Sequence, residues 1–189
     1  NELDGAFATR FENRPLVNHG VLAHSYGTPV AANALRLVNH PVQNLTLIGS
    51  AGIDGGRVGS LAELNVDRDA AGLPRVFTTM AAADSIAPLG SHLSGRLQPN
   101  PGAARSAGEF VIGAQSFSSD GAGELLPVTG HDTSRDDGGG YLDRGTQSLD
   151  SVAKLTVGET AKISGGLLFA QKESPTAQDR LSEMTLGGL

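Results

Sequence analysis

Residues 19–35 read His19-Gly20-Val21-Leu22-Ala23-His24-Ser25-Tyr26-Gly27-Thr28-Pro29-Val30-Ala31-Ala32-Asn33-Ala34-Leu35. A short apolar run meets a single serine between small residues, and an alanine-rich run follows. The first part favours a strand and the last a helix. Pro29 falls in the first helical turn, where its missing N–H is no loss. The stretch is therefore a strand, a sharp turn with Ser25 at its apex, and a helix. In so sharp a turn the side chains two before and two after the serine face each other and must be small. Gly27 meets this fully, and Ala23 at the cost of one methyl group. Ser25 itself is expected in a strained backbone region held by its surroundings. Its hydroxyl would stand at the positive end of the helix.

Working outward, Leu16 to Ala23 is the strand and Pro29 to Val38 the helix, whose alanine face permits close approach to a sheet. Asn39-His40-Pro41 ends that helix. Val42 to Ile48 is the next strand, closing in Gly49-Ser50-Ala51-Gly52, and strand-helix-strand order implies parallel pairing. Upstream, Glu2 to Phe11 reads as the end of a helix, with Leu3, Phe7 and Phe11 at i, i+4, i+8. Downstream, Ile53 to Pro74 reads as a polar excursion with a short helix at Ser60 to Leu64. Val76 to Met80 is a further strand, ending at Ala81-Ala82-Ala83-Asp84-Ser85-Ile86. Gly90 to Glu109, with Pro99 and Pro101, reads as a loop too long to be merely connecting. Phe110 to Phe117 holds the last strand. A glycine-rich loop follows, carrying Gly130-His131-Asp132 and then Gly138-Gly139-Gly140. Gln147 to Val157 is a terminal helix with Leu149, Val152 and Leu155 on one face. The expected architecture is α/β, a mostly parallel sheet flanked by helices. Residues 1–158 are expected to form the C-terminal portion of a domain, and residues 159–189 a C-terminal tail or accessory segment.

Composition narrows the function classes. A chain of 189 residues is long enough for one domain with a real core. Asp and Glu outnumber Lys and Arg by 20 to 14, a net charge of −6, which disfavours nucleic acid and anionic membrane surfaces as partners. No apolar run is long enough to span a bilayer. With 26 glycines, six Phe, two Tyr and no Trp, the chain is loop-rich rather than a helical bundle. Cysteine is absent, which rules out a disulfide framework and a thiolate metal site. Neither motif nor spacing calls for a metal or another cofactor. The expectation is a soluble protein, cytoplasmic or secreted without disulfides.

A strand-turn-helix with serine at the turn is the nucleophile elbow of serine hydrolases, written Gly-x-Ser-x-Gly and here Ala23-His24-Ser25-Tyr26-Gly27. Such a serine needs a base, and the base an orienting carboxylate. In α/β-hydrolases the chain order is Ser, then the acid after a later strand, then His after the last strand. Asp84 and His131 occupy those two places. Asp54, Asp67 and Asp69 compete for the acid, since some hydrolases place it after the earlier strand. His24 adjoins the serine on the other side of the strand; it is expected to pack rather than catalyse, and stands with Tyr26 and His92 among the candidates for the oxyanion and substrate-binding region. His19 and His40 sit at element edges, and His92 is a possible substrate contact. The Tyr26 N–H is the expected oxyanion donor. Asp132, Asp136 and Asp137 crowd His131 in a run that lacks the regular oxygen spacing of a calcium loop.

These pieces, in this order, resemble the α/β-hydrolases of bacterial, chiefly actinobacterial, genomes long classed as a domain of unknown function. The resemblance rests on Val21 to Gly27, where that family shows Gly-His-Ser-Tyr-Gly. It continues through Leu47-Ile48-Gly49-Ser50-Ala51-Gly52, Ala83-Asp84-Ser85-Ile86-Ala87 and Gly113-Ala114-Gln115-Ser116-Phe117. It ends on Gly130-His131 with Tyr141 following. It covers about Val17 to Gly158. The departures are Ala23 for Gly, Ser85 for Pro and Asp132 for Ser. The resemblance implies Ser25 as nucleophile, Asp84 as acid and His131 as base, acting on a small-molecule or lipid ester.

It also implies that strands earlier in the fold are absent from this chain, which starts at Asn1. The expectation is a piece of a longer polypeptide. Upstream residues, or a partner chain, would pair with the elbow strand and supply the second oxyanion donor. A non-catalytic module of the same fold, serving as a binding or scaffold part of a larger secreted effector, is the alternative.

Overall fold

A computed structural model describes Gly5, residues 19–98 and residues 114–169. The expected N-terminal helix with Leu3, Phe7 and Phe11 lies outside them. So do the first residues of the elbow strand, residues 99–113 and the polar segment Lys172 to Arg180.

The described strands are β1 (Gly20–His24), β2 (Asn44–Ile48), β3 (Val76–Thr79), β4 (Gln115–Ser116) and β5 (Leu168–Phe169), in the order β1-β2-β3-β4-β5. The first four run parallel and β5 pairs antiparallel with β4. The helices are α1 (Gly27–Leu35), α2 (Ile86–Ser94) and α3 (Gln147–Thr156). This is an α/β-hydrolase type of sheet, largely parallel and flanked by helices. Among the described residues β1 has a strand neighbour on one side only.

β2 is buried along its whole length, as a strand covered on both faces must be. Its side chains alternate. Leu45 and Leu47 join Ala32 and Leu35 of α1 in one cluster, and Ile48 joins Phe77, Val152 and Leu155 in the other. The segment read as a polar excursion departs from that expectation: it contributes Ile53, Val58, Leu61, Leu64 and Val66 to the first cluster. Its short helix forms at Leu61–Glu63, where Ser60 and Glu63 make a reciprocal capping box.

The loop expected from Gly90 is also corrected. Its first part belongs to α2, which begins four residues earlier at Ile86 and ends on Gly95 in a left-handed conformation. The helix is capped by Asp84, whose Oδ1 accepts the amides of Ile86 and Ala87 at 3.0 Å each. In α3 Thr146 caps the start by accepting the Leu149 amide. The buried face is Ser148, Ser151, Val152 and Leu155, and Leu149 is only half-buried.

Register sets the site. Gly20 to His24 pair with Asn44 to Ile48, and Leu45 to Ile48 with Val76 to Thr79. The chain thus leaves all three strands at one edge of the sheet, just before Ser25, Gly49 and Met80. Ligands of open parallel sheets bind at this carboxyl edge.

Leu155 is fully buried, and its carbonyl accepts the Asn44 side-chain amide at 3.1 Å. Leu155→Ala should lower unfolding stability by about 2–5 kcal/mol, measured by urea denaturation.

Candidate active site

Ser25 has φ +52° and is the only non-glycine residue at positive φ among the described residues. Its surroundings hold it there. Its amide donates to Ile48 O at 3.2 Å, and its carbonyl accepts the amides of Thr28 at 3.0 Å and Ala51 at 3.3 Å. The Thr28 hydroxyl donates to the same carbonyl at 2.7 Å and accepts from Ser50 Oγ at 3.0 Å. The apex is thus tied to α1 and to the end of β2. The facing of positions 23 and 27 differs from expectation: a Cβ at Gly27 would meet no atom within 4 Å. The Ala23 methyl is instead taken into the core on the α1 side of the sheet.

His131 stands between Ser25 and Asp84. Its Nε2 lies 2.7 Å from Ser25 Oγ, and its Nδ1 lies 2.9 Å from Asp84 Oδ2 and 3.0 Å from Oδ1. A carboxylate accepts, so Nδ1 carries the proton and Nε2 is left to accept from the serine hydroxyl. The Asp84 side chain has no solvent exposure. A carboxylate so buried must be fully hydrogen-bonded. The two α2 amides take Oδ1, and the Tyr141 hydroxyl donates to Oδ2 at 2.9 Å.

Residues 6–95 match the model of the family described as alpha/beta hydrolase. Over that stretch the chain is similar to the α/β-hydrolases. No curated protein and no solved structure matches the chain. The matched stretch contains Ser25 and Asp84 and ends before His131.

His131 is carried by the loop between β4 and α3, and that loop is fastened at several points. Asp143 accepts the Ser134 hydroxyl at 2.7 Å and the amides of Arg135 and Gly140 at 2.9 and 2.7 Å. The Tyr141 and Leu142 amides donate to Asp132 O and Thr133 O. Gly140 is needed for this closure, since a Cβ there would lie 2.6 Å from Ser134 Cα. The acidic run is paired within itself: Arg135 bridges Asp132 and Asp137 at 3.2 and 3.0 Å. Among the described residues no three His, Asp or Glu side chains gather where they could hold a metal.

The other candidates lie as follows. His24 Nε2 is 2.6 Å from the His131 carbonyl and must donate to it, with the two rings 4.8 Å apart. Burial lowers the His24 pKa below its ordinary value, against the opposing pull of that carbonyl. His24 thus fastens the loop rather than merely packing. The Tyr26 ring is exposed, with the Arg96 guanidinium 4.9 Å over it. His92 is exposed on the last turn of α2, and no hydrogen bond joins it to the other candidates. Asp54 bonds Gly56 and Arg57, and Asp69 bonds Ala71, Leu73 and Gln115. Neither meets His131. Sequence reading named Tyr141 and Gly49 only as parts of the family resemblance and gave neither a role in the site. Tyr141 is one of only two tyrosines and follows a glycine run, which was the available signal. At Gly49, φ +50°, a Cβ would lie 3.0 Å from Asp84 Oδ2 and from Tyr141 Cε2, and 3.4 Å from His131 Nδ1.

Gly49→Ala should therefore displace the Asp84–His131 pair while leaving the sheet folded. It is expected to cut reaction of Ser25 with a fluorophosphonate at least tenfold, with far-UV circular dichroism unchanged. A second expectation concerns pH. The Ser134 hydroxyl, then the Gly140 and Arg135 amides, hold the Asp143 carboxyl below its ordinary value of 3.8. A lowered carboxylate stabilises the fold above its ordinary pKa, and the effect is lost as pH falls through the lowered value. Asp143→Ala should accordingly raise hydrogen exchange at the Arg135 and Gly140 amides at neutral pH. The difference from the unmodified chain should vanish toward strong acid.

Proposed function

We propose that the chain is a serine hydrolase acting on carboxylic esters through an acyl-enzyme. The observation that carries this reading is the continuous row from Ser25 Oγ through His131 to the buried Asp84. In the proposed reaction Ser25 Oγ attacks the ester carbonyl carbon while its proton passes to His131 Nε2. Asp84 holds the ring's orientation and accepts from Nδ1 of the imidazolium that forms. The tetrahedral intermediate then collapses: the C–O bond to the alcohol breaks, and the His131 proton goes to that oxygen. Water, deprotonated by His131, attacks the acyl carbon and frees Ser25 with release of the acid.

The Tyr26 amide follows the apex directly, and among the described residues it has no backbone acceptor. It is the natural donor to the oxyanion, and one such donor is worth about 2.7–4 kcal/mol in the transition state. The second donor is to be sought outside the described residues. The preference for an ester with an apolar acyl or alcohol group is supported by the exposed side chains of Tyr26, Ile86 and Leu89. Ile86 lies two residues beyond Asp84.

Ser25→Ala should abolish both turnover of a short-chain aryl ester and covalent labelling by a fluorophosphonate, with an unchanged melting temperature. Intact-mass spectrometry of the labelled protein checks the stoichiometry. Labelling that persists in Ser25→Ala would exclude Ser25 as the nucleophile.

A further inference from the structure

Tyr141 is the largest fully buried side chain described, with 0% exposure. Filling the core needs only its ring, and a buried hydroxyl costs stability unless it is bonded. This hydroxyl is bonded twice. It accepts the Ala81 amide at 2.9 Å and donates to Asp84 Oδ2 at 2.9 Å. Ala81 belongs to the turn that carries Asp84, and its N–H occupies the acceptor side of the phenol oxygen. The one phenolic proton is thereby aimed at the carboxylate. Burial, and then the Asp84 charge, push the phenol well above its ordinary pKa, so it is a permanent donor.

The geometry points to Tyr141 as a positioning residue that acts through Asp84: its hydroxyl takes a share of the carboxylate charge and fixes which edge of the carboxylate faces His131 Nδ1. The inference rests on the proposed roles of Ser25, His131 and Asp84, and goes beyond them. The physical consequence is specific. Each donor bonded to Asp84 reduces the negative field at His131, and removing one favours the imidazolium. The other titratable groups facing this assembly are His24 on β1, Asp132 on the histidine's own loop, and Asp120, whose charge reaches Tyr141 from the loop after β4. All remain in place when only the hydroxyl is removed.

The test is Tyr141→Phe, which keeps the ring. Its kcat for an aryl ester should fall about tenfold, the scale of one lost hydrogen bond to a charged group, with KM little changed. The acid limb of kcat/KM should move to higher pH, and the NMR titration of the His131 ring should move with it. A tyrosine that merely fills space would lower the amount of folded protein without moving either curve. Curves that superimpose on those of the unmodified chain, or move to lower pH, overturn the inference.

If Tyr141→Phe does not fold, 3-fluorotyrosine gives the same information with the opposite sign. The chain has only two tyrosines, so incorporation in a Tyr26→Phe background labels position 141 alone. The stronger phenolic donor should move the His131 titration to lower pH relative to that background. No movement overturns the inference. The NMR readout needs no turnover. An unmodified chain that neither cleaves esters nor reacts with a fluorophosphonate would refute the ester reading alone, and the titration would still decide the role of Tyr141.

Discussion

A carboxylate cut off from water must find a donor for every direction in which it accepts, and around Asp84 this requirement organises the site. Its Oδ1 terminates two α2 amides, its Oδ2 takes the Tyr141 hydroxyl, and both oxygens face His131 Nδ1. One side chain therefore starts a helix, orders the His131 ring and anchors the loop that carries it. The space is filled so closely that a side chain at position 49 would press on Asp84, Tyr141 and His131. Loss of any one donor would leave part of a buried charge unpaired, a cost of about 1–3 kcal/mol or more. The helix start, the ring orientation and the loop are thus coupled through one group.

The sheet explains why these residues meet at all. Parallel strands in register deliver their following turns to one edge, so Ser25, Gly49 and the Asp84 turn are neighbours by topology. His131 is the exception. It arrives on a long loop, and its place depends on contacts across 47 residues to Asp84 and 107 to His24. The match to the hydrolase family ends at residue 95, before this loop. The local geometry of the loop is what brings the imidazole to the serine.

Local patterns made much of this legible in the sequence. The strand-turn-helix at Ser25, the apolar runs of β2 and β3 and the capped α3 follow from propensity and periodicity over short windows. Chain order picked out Ser25, Asp84 and His131, the three side chains that the structure brings together. What escaped has physical reasons. The inward face of α2 is only Ala87 and Ser91, while Ile86, Leu89 and Leu93 are exposed, so its apolar stripe points outward. Its cap lies upstream at Asp84. The apolar residues at 53, 58, 61, 64 and 66 follow neither helical nor strand spacing, yet all reach the core. The link between Tyr141 and Asp84 spans 57 residues and leaves no local trace.

The two halves of the site are held by different means. Ser25 sits at a backbone angle that costs on the order of 1–3 kcal/mol. Bonds to Ile48, Thr28 and Ala51 offset that cost within the sheet, α1 and the turn after β2. Its position requires nothing of the loop after β4. The imidazole has no such local frame. It is located by the clasp of Asp143 within its own loop, and by two links to the rigid half: His24 to the His131 carbonyl, and Tyr141 to Asp84. Both links reach the histidine's surroundings without occupying the face of the ring that meets Ser25. The loop is thereby registered against the serine while the hydroxyl and Nε2 stay open toward each other. For the same reason, changes at His24 or Tyr141 act on the histidine half first and leave the backbone of the elbow as it is.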